Sequence, residues 1–354
     1  MNIAVAVSGG VDSLCALLRL RQAGHTVFAL HGRFLPVPPE RDPVPALARA
    51  CALLQVPLHV ADLRAAFDAH VVAPFVQAYA AGRTPNPCAL CNAGIKFGLL
   101  LDAARAHGAA KLATGHYAAL REHPRYHRAL CRSDDALKDQ SYFLALVPHE
   151  RLLAAHFPLA RMHKEQTRAA VAAAGLTVPL PAESQEICFV PQDAYRPFVA
   201  GQAAARGITL GRTGPVLLPD GEMLGRHKGL WQYTEGQRKG LGIAWRAPLY
   251  VLAKDRMKNI LHVGPREALG MRACRTGAVN FLVPPELWPD KLFVRLRYRQ
   301  TPSPAQVTFT GTGMDITLPE AQFPTAPGQL AVLYDAEGYV LAGAEIESVQ
   351  GLHP

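Results

Sequence analysis

The stretch Asn2-Ile3-Ala4-Val5-Ala6-Val7-Ser8-Gly9-Gly10-Val11-Asp12-Ser13 decides the reading of this 354-residue chain. An apolar strand runs into a Ser-Gly-Gly turn. Val11–Ala23 then carries helical periodicity, stopped by Gly24. That order gathers backbone N–H groups and the positive end of a helix at one point, where an anion is bound. The glycines let backbone approach phosphate oxygens, and Ser8 and Ser13 add hydroxyl donors. Asp12 does not attract phosphate; a carboxylate there makes sense as a magnesium ligand bridging to pyrophosphate.

Working outward, strand and helix alternate. Strands are expected at Thr26–Leu30, Pro57–Val60 and Lys111–Thr114, and helices at Ala46–Gln55, Leu63–Tyr79, Ile95–His107, His149–Ala155 and His163–Ala174. This alternation predicts an α/β fold with a parallel sheet covered on both faces, its ligands beyond the carboxyl ends of the strands. Ser8-Gly9-Gly10 and Gly115-His116-Tyr117 both lie at such ends. After about residue 205 short strands, glycines and turn signals dominate. Three domains are expected: 1–205 with the phosphate loop, a small β-rich domain at 206–270, and a C-terminal β-barrel at 271–354.

The composition bounds the function. Hydrophobic content is 49% and charged content 18%, as in ordinary globular proteins. No apolar run reaches the ~18–20 residues of a membrane span, and no signal peptide precedes the loop, so a cytoplasmic location is expected. The net charge of +9 favours a polyanionic partner, although a GC-rich genome would also supply the arginines. Seven cysteines, an odd number in a reducing compartment, argue against a disulfide scaffold.

Two cysteine segments carry chemistry. Thr84-Pro85-Asn86-Pro87-Cys88-Ala89-Leu90-Cys91-Asn92 holds a Cys-x-x-Cys before a helix containing Lys96, whose dipole is expected to favour thiolate. The other is Ser184-Gln185-Glu186-Ile187-Cys188-Phe189. By itself Cys188 is equally well a small buried hydrophobe beside Ile187 and Phe189. In Phe293–Arg299, strand alternation places Arg295, Arg297 and Arg299 on one face, a surface for a polyanionic partner or a simply solvated one. Arg121–Arg132 reads as a solvated loop or a further basic surface. His116 suits a structural or a catalytic role.

Ser8–Ser13 lacks the Gly-Lys-Ser/Thr of a Walker loop and resembles the PP-loop of ATP pyrophosphatases. Several further strings resemble the bacterial tRNA-specific 2-thiouridylase family in order along nearly the whole chain. They are Arg83-Thr84-Pro85-Asn86-Pro87 with Cys91-Asn92 and Ile95-Lys96-Phe97, Ala113–Tyr117, Lys138–Leu144, Ser184–Phe189, Tyr233–Ile243, Arg297–Gln300 and Pro327-Gly328-Gln329.

The resemblance implies nucleotide contacts at Ala6, Val7, Ser8, Gly9, Gly10, Val11, Asp12, Ser13 and Gly115, with ATP and magnesium as cofactors. It implies catalysis by Cys91 and Cys188, with Asp12 assisting. ATP adenylates O2 of uridine 34, the wobble base. A persulfide on Cys188 supplies sulfur, and Cys91 closes a transient disulfide with Cys188. The tRNA contacts implied are Asn86, Pro87, Cys88, Lys138, Asp139, Gln140, Arg297 and Tyr298. The partners implied are a tRNA with uridine 34 and a persulfide relay or cysteine desulfurase; a monomer is the default. The alternative is another PP-loop sulfurtransferase or ligase that adenylates a different substrate.

Three departures stand out. Cys88 replaces the family's usual Asp, so Cys88, Cys91 and Cys188 offer an iron–sulfur cluster as the minority alternative. His31–Pro45 is short and proline-rich. Glu186 replaces an Asp, and Glu235 replaces an aliphatic residue.

Overall fold

The computed structural model describes residues 1–180, 187–190 and 194–352. Of the Ser184–Phe189 string, Ser184, Gln185 and Glu186 therefore lie outside the described residues.

Strands β1 (Asn2–Ala6), β2 (Thr26–Arg33), β3 (Leu58–Asp62) and β4 (Lys111–Ala113) are joined in one parallel sheet by β7 (Ala155–His156), in the order β3-β2-β1-β4-β7. The chain steps from β1 toward β3 in one direction and from β4 to β7 in the other. The switch point therefore falls between β1 and β4, where ligands bind in open parallel sheets. Both Ser8–Ser13 and Gly115–Tyr117 follow these two strands. Apolar side chains cover each face: Leu14, Leu17, Leu47 and Val171 on one, Phe97, Leu101, Leu144 and Phe157 on the other.

The charged stretch around Arg121–Arg132 is not a loop. It forms a hairpin of β5 (Ala119–His123) and β6 (His127–Cys131), in which Ala119, Ala129, Leu130 and Cys131 are buried and Arg121 and Arg128 are half-buried.

The remaining chain is β-rich. A four-stranded sheet contains β8 (Gly214–Leu217), β9 (Met223–His227), β10 (Tyr250–Asp255) and β11 (Ile260–Gly264). A closed barrel follows, built from β12 (Met271–Phe281), β13 (Leu292–Arg295), β14 (Ser303–Thr310), β15 (Gly313–Gln322), β16 (Leu330–Tyr334) and β17 (Val340–Gly351). Strand β13 ends at Arg295, short of the expected Arg299, because the Gln300 side chain accepts from Leu296 N–H at 2.9 Å and turns the chain. The shared face of Arg295, Arg297 and Arg299 is therefore lost.

The barrel is fused to the parallel-sheet domain. Leu330, Val332 and Tyr334 share one core with Phe97 and Tyr142, and Asn280 Nδ2 donates to the carbonyls of Ala145 and Val147 at 2.8 and 3.0 Å. No helix among the described residues is long and apolar enough to cross a membrane.

Candidate active site

The phosphate loop is held by its own hydroxyls. Ser13 Oγ donates to Gly10 O at 2.8 Å and accepts from Ser8 N at 3.2 Å. Gly9 has φ +93°, which favours glycine, and its carbonyl accepts from Leu180 N at 3.0 Å. The helix Val11–Gln22 starts with no side-chain cap, leaving its first N–H groups facing the loop. Val7 N–H bonds Leu30 O at 3.0 Å, and Val7 O meets His31 Nδ1 at 2.7 Å, so β2 fixes the base of the loop. The proline-rich stretch after it is ordered by Asp42, which pairs with Arg33 at 2.6 Å and accepts from Val44 N.

Asp12 is not free. Lys164 Nζ reaches its two oxygens at 2.7 and 2.8 Å, and Tyr117 OH donates to it at 3.1 Å. Tyr117 OH in turn meets Thr167 Oγ1 at 2.9 Å. A Cβ on Gly115 would lie 2.7 Å from the Asp12 carbonyl carbon and 2.8 Å from Ser13 N, so only glycine lets the second loop press against the first.

The thiols sit beside this loop. Helix Pro87–Leu90, capped by Asn86 Oδ1 on Ala89 N at 3.3 Å, runs straight into the wide helix Cys91–Leu100, kinked at Gly98. Cys91 is buried among Phe67, Phe75, Ile95, Phe189 and Trp231. Phe189 packs edge-on against Phe75 at 5.1 Å and Phe67 at 5.7 Å, which seats its neighbour Cys188 by the Cys91 helix. Cys88 and Cys188 reach solvent, though protein surrounds both. All seven cysteines are free thiols.

Burial pushes the Cys91 thiol up to about 11; the Lys96 ammonium opposes this, and Cys188 and Cys88 reinforce it. Burial also raises Cys88 and Cys188, with Lys96 the main opposing charge on each. The three thiols thus share one electrostatic neighbourhood with Lys96. The expected low-pKa thiolate at a helix start is not what forms. Cys91 follows an unbroken helical turn rather than an open N-terminus, and desolvation outweighs the dipole.

Lys96 Nζ lies 3.4 Å from His116 Nε2, and His116 Nδ1 lies 2.7 Å from Thr114 Oγ1. Burial, then Lys96, drives His116 well below its ordinary value, so the ring is neutral at physiological pH. Among the described residues no group of three or more His, Cys, Asp or Glu is placed to hold a metal ion. The cysteines described here are therefore not arranged as the ligand set of a cluster.

The residues expected to touch RNA separate into two sets. Cys88 is exposed, and Lys138 is half-buried. Gln140 is also half-buried and accepts from Tyr117 N at 3.0 Å, which puts it beside the phosphate loop. Asn86 and Pro87 are buried beneath Cys88. Asp139 is not available to RNA. Its carboxylate is fully buried, pairs with Arg295 at 2.6 Å and accepts from Ser133 N, Ser141 N and Ser141 Oγ. Arg297 is turned inward too, donating to Glu235 O at 2.9 Å over the Phe323 ring, while Tyr298 packs on Phe143 at 4.4 Å.

Other residues emerge only in three dimensions. Thr84 N donates to Pro327 O at 2.8 Å, and Gln329 Nε2 donates to Thr84 O at 2.9 Å and Pro85 O at 3.2 Å. Thr84 Oγ1 meets Thr234 Oγ1 at 3.2 Å. The segment leading to Cys88 is thus clamped by both β-rich parts of the chain. Glu235 pairs with the buried Lys254 at 3.3 Å, and Lys254 Nζ also donates to Tyr233 O, which accounts for a charge at that turn. Lys164 had no spacing signal: it lies 152 residues from Asp12.

Fold and site define the class: a HUP-type nucleotide-binding domain with a PP-loop and a thiol centre, followed by two β domains. The family described as "tRNA methyl transferase HUP domain" matches residues 1–192, "tRNA methyl transferase PRC-barrel domain" matches 208–265, and "Aminomethyltransferase beta-barrel domain" matches 271–346. The "tRNA-specific 2-thiouridylase MnmA" of Nitratidesulfovibrio vulgaris (strain DSM 19637 / Miyazaki F) is 54% identical over 98% of this chain and 99% of its own length. That of Oleidesulfovibrio alaskensis is 52% identical over 99% and 100%, and that of Lawsonia intracellularis 50% over 98% and 99%. The chain belongs to the tRNA-specific 2-thiouridylase family.

Proposed function

We propose that this chain is a tRNA-uridine 2-sulfurtransferase that converts uridine 34 to 2-thiouridine with release of AMP and pyrophosphate. One observation carries the reading. The segment Thr114–Tyr117 touches both halves of the site: Gly115 and Tyr117 contact the phosphate loop at Asp12, and His116 contacts Lys96 beside the thiols. Nucleotide activation and sulfur delivery therefore share one rigid connector.

The loop N–H groups and Lys164 hold the phosphates of ATP, and adenylation turns O2 of the uridine into a leaving group. Asp12, a hard oxygen donor about a third exposed, would hold magnesium once Lys164 turns to the phosphates. Magnesium supplies charge neutralisation on the departing pyrophosphate.

The terminal sulfur of a Cys188 persulfide attacks C2, and the C–O bond to AMP breaks. Cys91 thiolate then attacks the inner sulfur, the persulfide S–S bond breaks, and a Cys91–Cys188 disulfide forms. The sulfane sulfur is reduced and the thiol pair oxidised, so an external thiol resets the enzyme. The high thiol pKa values keep the resting cysteines protonated and unreactive, and Lys96 is the charge that offsets this. A persulfide relay protein or cysteine desulfurase loads Cys188, and the protein works as a cytoplasmic monomer. In this scheme 1–205 performs the chemistry, 206–270 braces it, and 271–354 supports the bound tRNA.

The test is to incubate the protein with unmodified tRNA, ATP, magnesium and a persulfide donor and to quantify 2-thiouridine by mass spectrometry. Cys188→Ser is expected to abolish the product. Full activity of that variant would sink the persulfide assignment.

A further inference from the structure

Beside the edge strand β7, two strands away from β1, a cavity of about 130 Å³ is lined by Leu120, Arg121 and Arg128 of the hairpin, by His156, and by Phe157 and Arg161. None of these residues belongs to the phosphate loop or the thiol centre. Its charge is one-sided. Arg121 is neutralised by Asp134. Arg128 has neither an ion pair nor a hydrogen bond among the described residues, and its Nε is buried without a partner. Arginine does not escape such a position by losing its proton.

The neighbouring bases do give way. Burial, then repulsion from Lys111, His25 and Arg128, takes His156 down to about 4, and burial and Arg128 lower Lys111. The Arg128 side chain thus lines, without a partner of its own, a cavity that Arg121 and Arg161 also line, and a cation so placed is an incomplete arrangement. An oxyanion completes it, and the planar donors of arginine match phosphate oxygens.

We propose that this cavity is a phosphate-binding site in which Arg128, flanked by Arg121 and Arg161, holds a backbone phosphate of the RNA substrate outside the reaction centre. The choice of ligand rests on the tRNA reading above; the oxyanion chemistry does not. A free phosphate or pyrophosphate presents the same oxygens, so the experiment separates the two sources.

In the first arm, tRNA binding by the full chain is followed across a salt series for wild type, Arg128→Ala, Arg128→Lys and Arg161→Ala. Arg49→Ala, at an exposed position on the helix Val44–Leu53, is the control. Arg128→Ala is expected to weaken binding about three- to tenfold and to lower the salt slope by about one, with Arg128→Lys in between. In the second arm, sodium phosphate and sodium pyrophosphate are titrated at constant ionic strength while the His156 imidazole proton is observed by NMR. Wild type is expected to show a saturable shift that Arg128→Ala lacks.

A phosphate response lost in Arg128→Ala with an unchanged tRNA slope overturns the RNA source and assigns the cavity to free phosphate. Wild-type slope and wild-type titration in both Arg128→Ala and the exposed-site variant Arg161→Ala overturn the site altogether. A wild-type protein that makes no 2-thiouridine would remove the proposed activity while leaving the phosphate titration in place.

Discussion

Asp12 with Lys164 and Asp139 with Arg295 are both carboxylate–cation pairs, at 2.7 and 2.6 Å, in neighbouring parts of the same domain assembly. The side chain of Asp12 is 32% exposed, whereas that of Asp139 is 0% exposed and Arg295 only 5%. Asp139 also accepts three further bonds from Ser133 and Ser141, and Arg132 stands 3.6 Å away. An open pair can exchange its partner for a phosphate or a metal. A closed, fully bonded pair can only be broken. The contrast separates a carboxylate open to ligand exchange from one closed into the architecture.

The strongest way to break this comparison is Asp139→Ala. It leaves the Arg295 guanidinium buried without its carboxylate, and a loss of about 3–5 kcal/mol in urea unfolding is expected. A loss below about 1 kcal/mol would mean that Asp139 is not the structural member of the contrast. Glu235→Leu should come next. Lys254, 2% exposed, loses its carboxylate but keeps the Tyr233 carbonyl, so about 2–3 kcal/mol is expected. The double variant Glu235→Leu with Lys254→Met should recover most of it, because replacing both members leaves no orphaned charge. Failure to recover would show that the pair does more than balance itself. Asp12→Asn sharpens the other side. Its stability change should stay under about 1 kcal/mol, as for a part-exposed pair, while 2-thiouridine formation falls by about 10²-fold or more.

The legible part of the molecule was local. Strand β1, the glycine turn and the helix after it are contiguous, so periodicity and Gly9-Gly10 specify them without help from the rest of the chain. The nearness of Cys91 and Cys188 came from resemblance, and its physical cause, the seat of Phe189 on Phe67 and Phe75, has no linear signature. The hairpin Ala119–Cys131 reads as a solvated loop because Arg121, Glu122, His123 and Arg128 mask the buried Ala119, Ala129, Leu130 and Cys131. The buried pairing of Asp139 has no local signature, because its partner lies 156 residues away. Arg297 leaves the strand register that alternation predicts because a single side chain, Gln300, ends β13 early. Thiol acidity is not legible in the chain, because helix position is visible there and desolvation is not.

The smallest effect, and the finest probe of the site, concerns His116. Burial and Lys96 both oppose its protonation in the folded state. In the unfolded chain the ring takes a proton as pH falls through about 6.5. The unfolded state then binds more protons than the folded one, so stability should decline as pH drops below about 6.5 and continue to decline toward the depressed folded value. His156, at about 4, adds to the same window, from about 6.5 down to 4. His116→Asn should therefore flatten part of the acid slope of stability between pH 6.5 and 5, by about 1–2 kcal/mol, while changing little at pH 8. The direct check is the His116 ring-proton shift, which should stay constant from pH 8 to pH 5. A titration midpoint near 6.5 would place a charged imidazolium against the Lys96 ammonium. It would also make His116 a proton donor at neutral pH, and the neutral connector between nucleotide and thiols would have to be abandoned.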